Sequence, residues 1–357
     1  MPHIHSCSFK KRLDPVQYSI GANTGQANGV IMRRSLCVSV GMCALSFVLG
    51  GCATSPGAVS ADSAGASMVP PPVATKVLDV KGANNVNLKV YEFGNPNGRP
   101  IVFIHGINQA HIAWNKQLGS ELAAKYRLVT FDLRGHGFSD KPADMAPYQG
   151  ERNWADDLNA VIVGLNLNKP VLVGWSFGGR VIAMYLRHYG EGNVGAIDFV
   201  GTVLRVSGNA SGQRSPQLTA AVGKIMRAKS IQDYIEGQGA FVRAMSHKAL
   251  RNEEFERILA FNMHVPPQVF KAVVTAGDFN YEPELRKLRV PTLVTHGQFD
   301  LVSNIGNGRF IAERVAGARF SLFEDAGHLT FLEDTARFNR ELDALALAVT
   351  RPCVSPE

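Results

Sequence analysis

The amino-acid sequence predicts an α/β fold, in which a mostly parallel sheet carries helices on both faces. Three observations support this class. The 357 residues are 45% hydrophobic and 19% charged, which supplies a buried core and excludes disorder over the whole length. From Lys76 onward, short β-rich runs alternate with stretches of helical periodicity. The run Pro100–Ile104 is apolar throughout, as expected for a strand that is buried on both faces.

The predicted elements follow one another as in a parallel α/β sheet. Strands are expected at Val77–Val80, Leu88–Phe93, Pro100–Ile104, Arg127–Asp132, Val171–Gly174, Asp198–Val206, Thr292–His296 and Phe320–Phe323. Helices are expected around Asn115–Lys125 and Asn153–Leu165, from Gly178 to Tyr189, and from about Phe331. Such sheets place their functional residues at the carboxyl ends of the strands.

One interval, residues 208–288, interrupts the alternation. It contains three helical patches and a Pro-Pro kink but no clear strand; these are Leu218–Met226, Ile231–Met245, Asn252–Phe261 and Val265-Pro266-Pro267. An insertion of about 80 residues is too long for a structureless loop in a compact domain. We therefore predict a small helical lid inserted between two core segments, 76–207 and 289–352.

The net charge of +7 is concentrated at the amino-terminal end. Residues 1–52 hold five basic side chains against Asp14 alone, which accounts for +4 of the total. The remaining positive charge is spread over the rest of the chain, as on an ordinary solvated protein surface. No basic run is interleaved with aromatic residues. This pattern argues against a nucleic-acid partner.

The amino-terminal segment has the features of an export signal. Met32-Arg33-Arg34 is followed by an uncharged, largely apolar stretch that ends in Leu49-Gly50-Gly51-Cys52, which resembles the lipobox of bacterial lipoproteins. We expect residues 32–52 to be a lipoprotein signal peptide with Cys52 as the lipidated residue. A short membrane anchor and a secreted protein with a chance cysteine are the alternatives.

Three expectations follow from this signal. Residues 1–31 would be an upstream extension, with the true start at Met32. Residues 53–75, rich in Ala, Ser, Gly and Pro, would be a flexible tether. The protein would be exported to the cell envelope and lipid-anchored; because Ala53 is not the Asp of a retention signal, the outer membrane facing the periplasm is favoured.

A serine stands at a tight turn between a predicted strand and a predicted helix. The motif is Gly174-Trp175-Ser176-Phe177-Gly178-Gly179, and G-x-S-x-G in this context is the nucleophile elbow, where small residues permit the strained turn that exposes the serine hydroxyl. A serine needs a base and an orienting carboxylate to act as a nucleophile. The sequence therefore predicts Ser176 as the nucleophile of a catalytic triad.

The required acid and base each follow a later predicted strand. Asp300 follows the strand Thr292–His296, and His328 follows Phe320–Phe323. We expect His328 to be the general base and Asp300 to orient it, with Asp325 as the rival acid. The backbone amides of Ile107 and Phe177 are expected to form the oxyanion hole, and His105 to brace its loop.

Together these motifs resemble the α/β-hydrolase superfamily. The resemblance rests on His105-Gly106, the run at 131–140, the elbow at 174–179, Asp300 and His328, and it spans about residues 76–348. Within the superfamily the chain is similar to small bacterial serine esterases and cofactor-free haloperoxidase-like hydrolases. The resemblance implies a central eight-stranded sheet, no metal, no organic cofactor, and a structural role for Arg134, His136 and Asp140.

The expected reaction is hydrolysis of a carboxylic ester, a lactone or a thioester through an acyl-Ser176 intermediate. Ser176 replaces the aspartate nucleophile of haloalkane dehalogenases and epoxide hydrolases, which excludes both chemistries. The lid is expected to form the acyl pocket, with Phe241, Met245, Phe261 and Met263 as candidate lining residues. Asn108, Gln109 and His111 either add polar groups beside the oxyanion site or are solvated surface residues.

Several alternatives remain open from the sequence. Perhydrolysis, haloperoxidase-like chemistry or C–C bond hydrolysis would use the same triad, although Ile107-Asn108 replaces the Trp-Pro pair common in haloperoxidase relatives. A non-catalytic ligand-binding member of the fold is a further possibility. The expected partners are a small-molecule ester and, through the lipid anchor, a membrane; no obligate protein partner is inferred.

Overall fold

The structure is a computed structural model that describes residues 70–207 and 215–349. The predicted upstream extension, the signal peptide, Cys52 and most of the tether therefore lie outside the described residues. None of the helices in these two ranges combines the length and the apolar character that a bilayer crossing requires.

The described residues contain a mixed eight-stranded sheet and a separate two-stranded ribbon. The strands are β1 (Lys76–Lys81), β2 (Asn87–Gly94), β3 (Pro100–Ile104), β4 (Arg127–Phe131), β5 (Val171–Trp175), β6 (Ala196–Val200), β7 (Arg205–Val206), β8 (Phe279–Asn280), β9 (Thr292–Gly297) and β10 (Arg319–Phe323). The sheet order is β1-β2-β4-β3-β5-β6-β9-β10, and only the pairs β1–β2 and β2–β4 are antiparallel. The predicted fold class and sheet size are confirmed.

Helices cover both faces of this sheet. They are α1 (Asn115–Leu118), α2 (Leu122–Lys125), α3 (Ala146–Gln149), α4 (Glu151–Gly164), α5 (Phe177–Tyr189), α6 (Pro216–Arg227), α7 (Ile231–Met245), α8 (Asn252–His264), α9 (Pro267–Val274), α10 (Glu282–Lys287), α11 (Ile305–Arg314), α12 (Thr330–Glu333) and α13 (Thr335–Leu347), with short 3-10 turns at Ala83–Asn85 and His111–Trp114. On β3, Val102 and Ile104 face one apolar cluster, while Ile101 and Phe103 face the other. The continuous apolar run thus reflects a strand with two buried faces.

Helices α6, α7, α8 and α9 occupy the interval in which the sequence predicts an insertion. Local chemistry fixes where α7 begins: Ser230 Oγ accepts from the Asp233 amide at 3.1 Å, and Asp233 accepts from the Ser230 amide at 3.2 Å. This reciprocal arrangement is a capping box, which satisfies amides that have no partner within the helix. The Pro266-Pro267 pair separates α8 from α9, because proline lacks the amide that would continue the first helix.

Three element predictions were wrong in detail. The expected strand at 198–206 ends at Val200, because Gly201 adopts a left-handed backbone (φ +54°) that turns the chain out of the sheet. Arg205–Val206 instead pairs with Phe279–Asn280, so the interval expected to lack a strand contributes one. The helix expected over 115–125 is interrupted at Gly119 and divides into α1 and α2.

Candidate active site

Ser176 occupies the tight turn between β5 and α5. Its backbone lies at φ 54° and ψ −114°, in a region that residues with a side chain rarely adopt, and its amide donates to Val200 O at 2.8 Å. A Cβ on Gly178 would lie 2.2 Å from Ile104 O, and a Cβ on Gly174 would lie 2.6 Å from the backbone of Gly179. The two glycines of the motif are therefore required by the close approach of backbone to backbone.

Asp300 and His328 form a buried pair beyond the ends of β9 and β10. Nδ1 of His328 is 2.7 Å from Oδ2 of Asp300, and the other carboxylate oxygen accepts from the amides of Val302 and Ser303, both at 2.8 Å. Burial opposes ionisation of Asp300, but His328, His296 and the Ser303 amide together outweigh it, and the pKa of Asp300 is lowered. The carboxylate is thus held ionised and fixed in orientation.

The backbone of His328 is fixed from two sides. Its amide donates to Met245 O at 2.7 Å, and its carbonyl accepts from Trp175 Nε1 at 3.0 Å. A Cβ on Gly201 would lie 2.9 Å from Nδ1 of His328, so the ring lies against the end of β6. His328 is thus contacted by Trp175, which precedes Ser176, and by the end of β6, which accepts the Ser176 amide.

The rival acid of the sequence analysis lies elsewhere. The side chain of Asp325 is 74% exposed and forms a 2.7 Å ion pair with Lys248. Its carboxylate is 3.6 Å from Nε2 of His247, another histidine. Of the two acids considered, the structure brings only Asp300 to His328.

The amides of Ile107 and Phe177 have no acceptor in the part of the chain that the structure describes. Both residues line the same cavity as Ser176. A Cβ on Gly106 would lie 3.3 Å from Cβ of Ser176, so the loop after β3 passes directly beside the serine. Two unpaired donors beside a serine are the arrangement that stabilises an oxyanion.

His105 holds this loop rather than facing the cavity. Its Nε2 accepts from the Leu133 amide at 3.0 Å, which places the ring proton on Nδ1, where it donates to Gly106 O at 2.8 Å. Burial lowers the pKa of His105 to about 4, so the ring is neutral. A neutral ring that makes a hydrogen bond through each of its two nitrogens is suited to bracing the loop.

The neighbouring loop after β4 is held by charged side chains. Arg134 is fully buried and contacts both carboxylate oxygens of Asp157, at 2.6 and 2.7 Å. Asp140 accepts from the Asn87 amide at 2.7 Å, and Nδ1 of His136 lies 2.9 Å from Arg134 O. Arg134 also donates to Pro147 O at 3.1 Å, so all three motif residues hold backbone, as the sequence resemblance implies.

Four buried amide side chains connect the oxyanion loop to the insertion. They are Asn108, Gln109, Gln238 and Asn262, all at most 4% exposed. Asn108 Nδ2 donates to Oε1 of Gln238 at 3.3 Å, and the side-chain amide of Asn262 lies 3.1 Å from that oxygen. His111 is also buried, 3.0 Å from Asp132. The interpretation of Asn108, Gln109 and His111 as solvated surface residues was wrong. Side chains of α7 and α8 contact Asn108 and Gln109, and His111 packs against Tyr91 and Asp132.

A cavity of about 170 Å³ adjoins the serine. Its lining is mostly apolar and consists of Ile107, Ser176, Phe177, Arg180, Val203, Val206, Val273, Val274, Gly277, Phe279, Val302 and Asn307. None of the four residues proposed from the sequence lines it. Phe241 and Met245 are core residues, with Phe241 packed edge-on against Phe270. The insertion instead lines the cavity through α9 and the segment after it, which lacks a distinctive sequence pattern.

Comparison with known proteins gives consistent results. Residues 99–335 match the family model described as the alpha/beta hydrolase fold. A non-heme chloroperoxidase of Kitasatospora aureofaciens is 29% identical over 254 residues, which cover 69% of this chain and 91% of the relative. A Burkholderia cenocepacia crystal structure shares 34% identity at a TM-score of 0.68, covering 77% of this chain and 100% of its own. For an esterase from Rhodococcus sp. ECU1013 the identity is 28%, the TM-score 0.71, and the coverage 77% and 99%.

Proposed function

The chain belongs to the α/β-hydrolase family, and from that premise we propose that it is a serine hydrolase that cleaves carboxylic esters through an acyl-Ser176 intermediate. The observation that carries the proposal is the 2.7 Å contact between Asp300 and His328. The ring of His328 lies against the end of β6, whose Val200 carbonyl accepts the amide of Ser176, a serine held at positive φ. The similarity to the Rhodococcus esterase supports an ester as the substrate class.

In the acylation step, His328 Nε2 takes the proton of the Ser176 hydroxyl as its oxygen attacks the ester carbonyl carbon. Asp300 holds the ring by Nδ1, so that Nε2 is the basic nitrogen, and its negative charge stabilises the imidazolium that forms. The amides of Ile107 and Phe177 donate to the negatively charged carbonyl oxygen. Collapse of the tetrahedral intermediate breaks the ester C–O bond, and His328 returns the proton to the leaving alcohol.

In the deacylation step, His328 removes a proton from a water molecule, which attacks the acyl carbonyl. The same two amides stabilise the second tetrahedral intermediate. The carboxylic acid leaves, and His328 returns the proton to Ser176. The α5 amino terminus lies behind the serine, where its unpaired amides favour the developing negative charge.

A fluorophosphonate probe tests the proposal directly, because it labels only an activated serine. We expect labelling of the wild-type protein, none of Ser176→Ala, and loss of turnover of para-nitrophenyl acetate by on the order of 10⁶-fold in kcat. Ser139→Ala, at a serine in the loop after β4, is the control for probe specificity. Correctly folded wild-type protein that resists the probe would overturn the proposal and favour a non-catalytic member of the fold.

The similarity to the Kitasatospora non-heme chloroperoxidase favours a second candidate, perhydrolysis. In that reaction hydrogen peroxide replaces water as the nucleophile that attacks the acyl enzyme, which yields a peracid and regenerates Ser176. Peracid formation from acetate and peroxide, measured by bromination of monochlorodimedone, distinguishes this reaction from plain hydrolysis. An acetate-dependent signal lost in Ser176→Ala would establish it.

We also propose, from the sequence, that the enzyme is exported and anchored through an acylated Cys52. Mass spectrometry of the mature amino terminus should show a diacylglyceryl cysteine at this position. Substitution Cys52→Ala should leave an unprocessed, unlipidated chain. An amino terminus upstream of Met32 on the mature protein would contradict both this proposal and the predicted start.

A further inference from the structure

A buried arginine shares the cavity with the serine. Arg180 lies on α5 one helical turn after Ser176, about 6 Å along the helix axis. Arg180 is only 8% exposed, and Arg180 and Ser176 line the same cavity. The steps of ester hydrolysis described above do not use this side chain.

No carboxylate pairs with Arg180 among the described residues. Its guanidinium lies between two rings, 4.7 Å from the centroid of Phe177 and 4.6 Å from that of Phe279. Its Nε is buried and has no hydrogen-bond partner in residues 70–207 and 215–349. The segment 208–214, which the structure does not describe, contains no Asp or Glu.

Arg187, two turns further along the same helix, shows the contrast. It contacts Glu284 at 3.0 Å and Glu151 at 3.1 Å, although it is less buried than Arg180. Glu151 also accepts from the Tyr281 hydroxyl at 2.9 Å. Glu284 and Glu151 are therefore engaged by other side chains, and Glu151 attracts Arg180 only from beyond contact distance, which leaves the Arg180 guanidinium without a carboxylate in direct contact among the described residues.

Burial of an unpaired charge is costly unless a partner offsets it. Desolvation lowers the pKa of Arg180 to about 10, which still leaves the guanidinium charged at neutral pH. The two flanking rings recover part of the cost through cation–π contacts. They do not satisfy the planar array of N–H donors, which matches the two oxygens of a carboxylate.

We propose that Arg180 binds a carboxylate carried by the substrate, so that the enzyme prefers esters with an anionic group near the scissile bond. This inference rests on the proposed function and narrows its substrate class. The cavity of about 170 Å³ holds a group of roughly benzene size, given that an engineered cavity of about 150 Å³ binds benzene. A short half-ester of a dicarboxylic acid places its carbonyl at Ser176 and its carboxylate one helical turn away.

Paired substrates test the preference. We expect wild-type kcat/KM to be higher for para-nitrophenyl hemisuccinate than for para-nitrophenyl butyrate, by about 10- to 100-fold. Arg180→Met should reduce this ratio by a similar factor, and Arg180→Lys should restore part of it. The ratio is independent of the amount of folded enzyme. Arg152→Met, at an exposed arginine on α4, is the control and should keep the wild-type ratio.

A second pair, para-acetoxybenzoate and para-acetoxybenzamide, tests whether the preferred carboxylate lies on the leaving-group side of the ester.

Binding provides a readout that does not depend on turnover. By calorimetry on Ser176→Ala, N-phenylsuccinamic acid should bind about tenfold or more tightly than N-phenylbutyramide, and the difference should vanish in Ser176→Ala/Arg180→Met. Equal affinities, or a substrate ratio that Arg180→Met does not change, would overturn the inference while ester hydrolysis stands. If the wild-type protein resists the fluorophosphonate probe but N-phenylsuccinamic acid still binds more tightly than N-phenylbutyramide, the proposed function is overturned and the anion site stands.

Discussion

Asp300 Oδ2 accepts a hydrogen bond from His328 Nδ1 at 2.7 Å, although the two residues follow different strands. β9 and β10 are parallel neighbours, with Gly297 opposite Phe323 at their carboxyl ends. Segments that leave two parallel neighbours at the same edge lie close together, which brings the acid to the base. Ser176 follows β5, and β6 lies between β5 and β9 in the sheet. The end of β6 contacts both the Ser176 amide and the His328 ring.

Substitution of either candidate acid separates their roles. Asp300→Asn should reduce kcat by about 10⁴-fold, because the amide no longer stabilises the imidazolium or fixes the productive tautomer. Asp325→Asn removes a 74% exposed carboxylate that pairs with Lys248 and should leave kcat within a few-fold of wild type. Steady-state kinetics with para-nitrophenyl acetate decide between them. The reverse order of effects would make Asp325 the orienting acid.

The nucleophile turn should tolerate no side chain at Gly178. Gly178→Ala puts a Cβ 2.2 Å from Ile104 O, so β3 and α5 must separate, and we expect a loss of several kcal/mol in the free energy of unfolding. At Gly192 nothing lies within 4 Å of an added Cβ, and Gly192→Ala should be neutral or stabilise by about 0.4–1 kcal/mol. Urea denaturation measures both. Equal stabilities would show that this turn has room to relax.

The buried amide cluster should position the oxyanion loop. Gln238→Leu leaves the buried side-chain amide of Asn108 without its acceptor, at a cost of about 1–3 kcal/mol in unfolding free energy. If the cluster fixes the Ile107 amide, kcat falls while KM changes little. Gln232→Leu, at an exposed position on the same helix, is the matched control. A stability loss with unchanged kcat would limit the cluster to a structural role.

Asp198 should make stability depend on pH. Burial raises the pKa of Asp198 to about 8, so the folded state holds its proton over a range in which the unfolded chain, with a pKa near 3.8, has released it. Because the folded state binds more protons, the free energy of unfolding contributed by this group decreases as pH rises from about 4 to about 8. Asp198→Asn removes this penalty.

Thermal unfolding at several pH values checks the sign. The difference in Tm between Asp198→Asn and wild type should increase from about pH 5.5 to about pH 8.5. The exposed Asp79 on β1 provides the control substitution, Asp79→Asn, for which no such increase is expected. A constant difference across this range would show that Asp198 is ionised throughout.

The sequence by itself determined the alternating strands, the serine at the turn, and the order of Ser176, Asp300 and His328. These features depend on local patterns: a strand with two buried faces is a continuous apolar run, and a turn with no space for a side chain requires glycine. The boundaries of β3 and α7 could be predicted for the same reason.

Only the tertiary structure decided which acid meets His328, that Asn108 is buried, and that α9 rather than Phe241 lines the cavity. The lack of a carboxylate in contact with Arg180 among the described residues could not be predicted either, since Arg187 on the same helix contacts two. Each of these outcomes depends on contacts between residues far apart in the chain. A local pattern specifies which face of an element is buried, but the identity of the partner on that face is set only when the elements pack together.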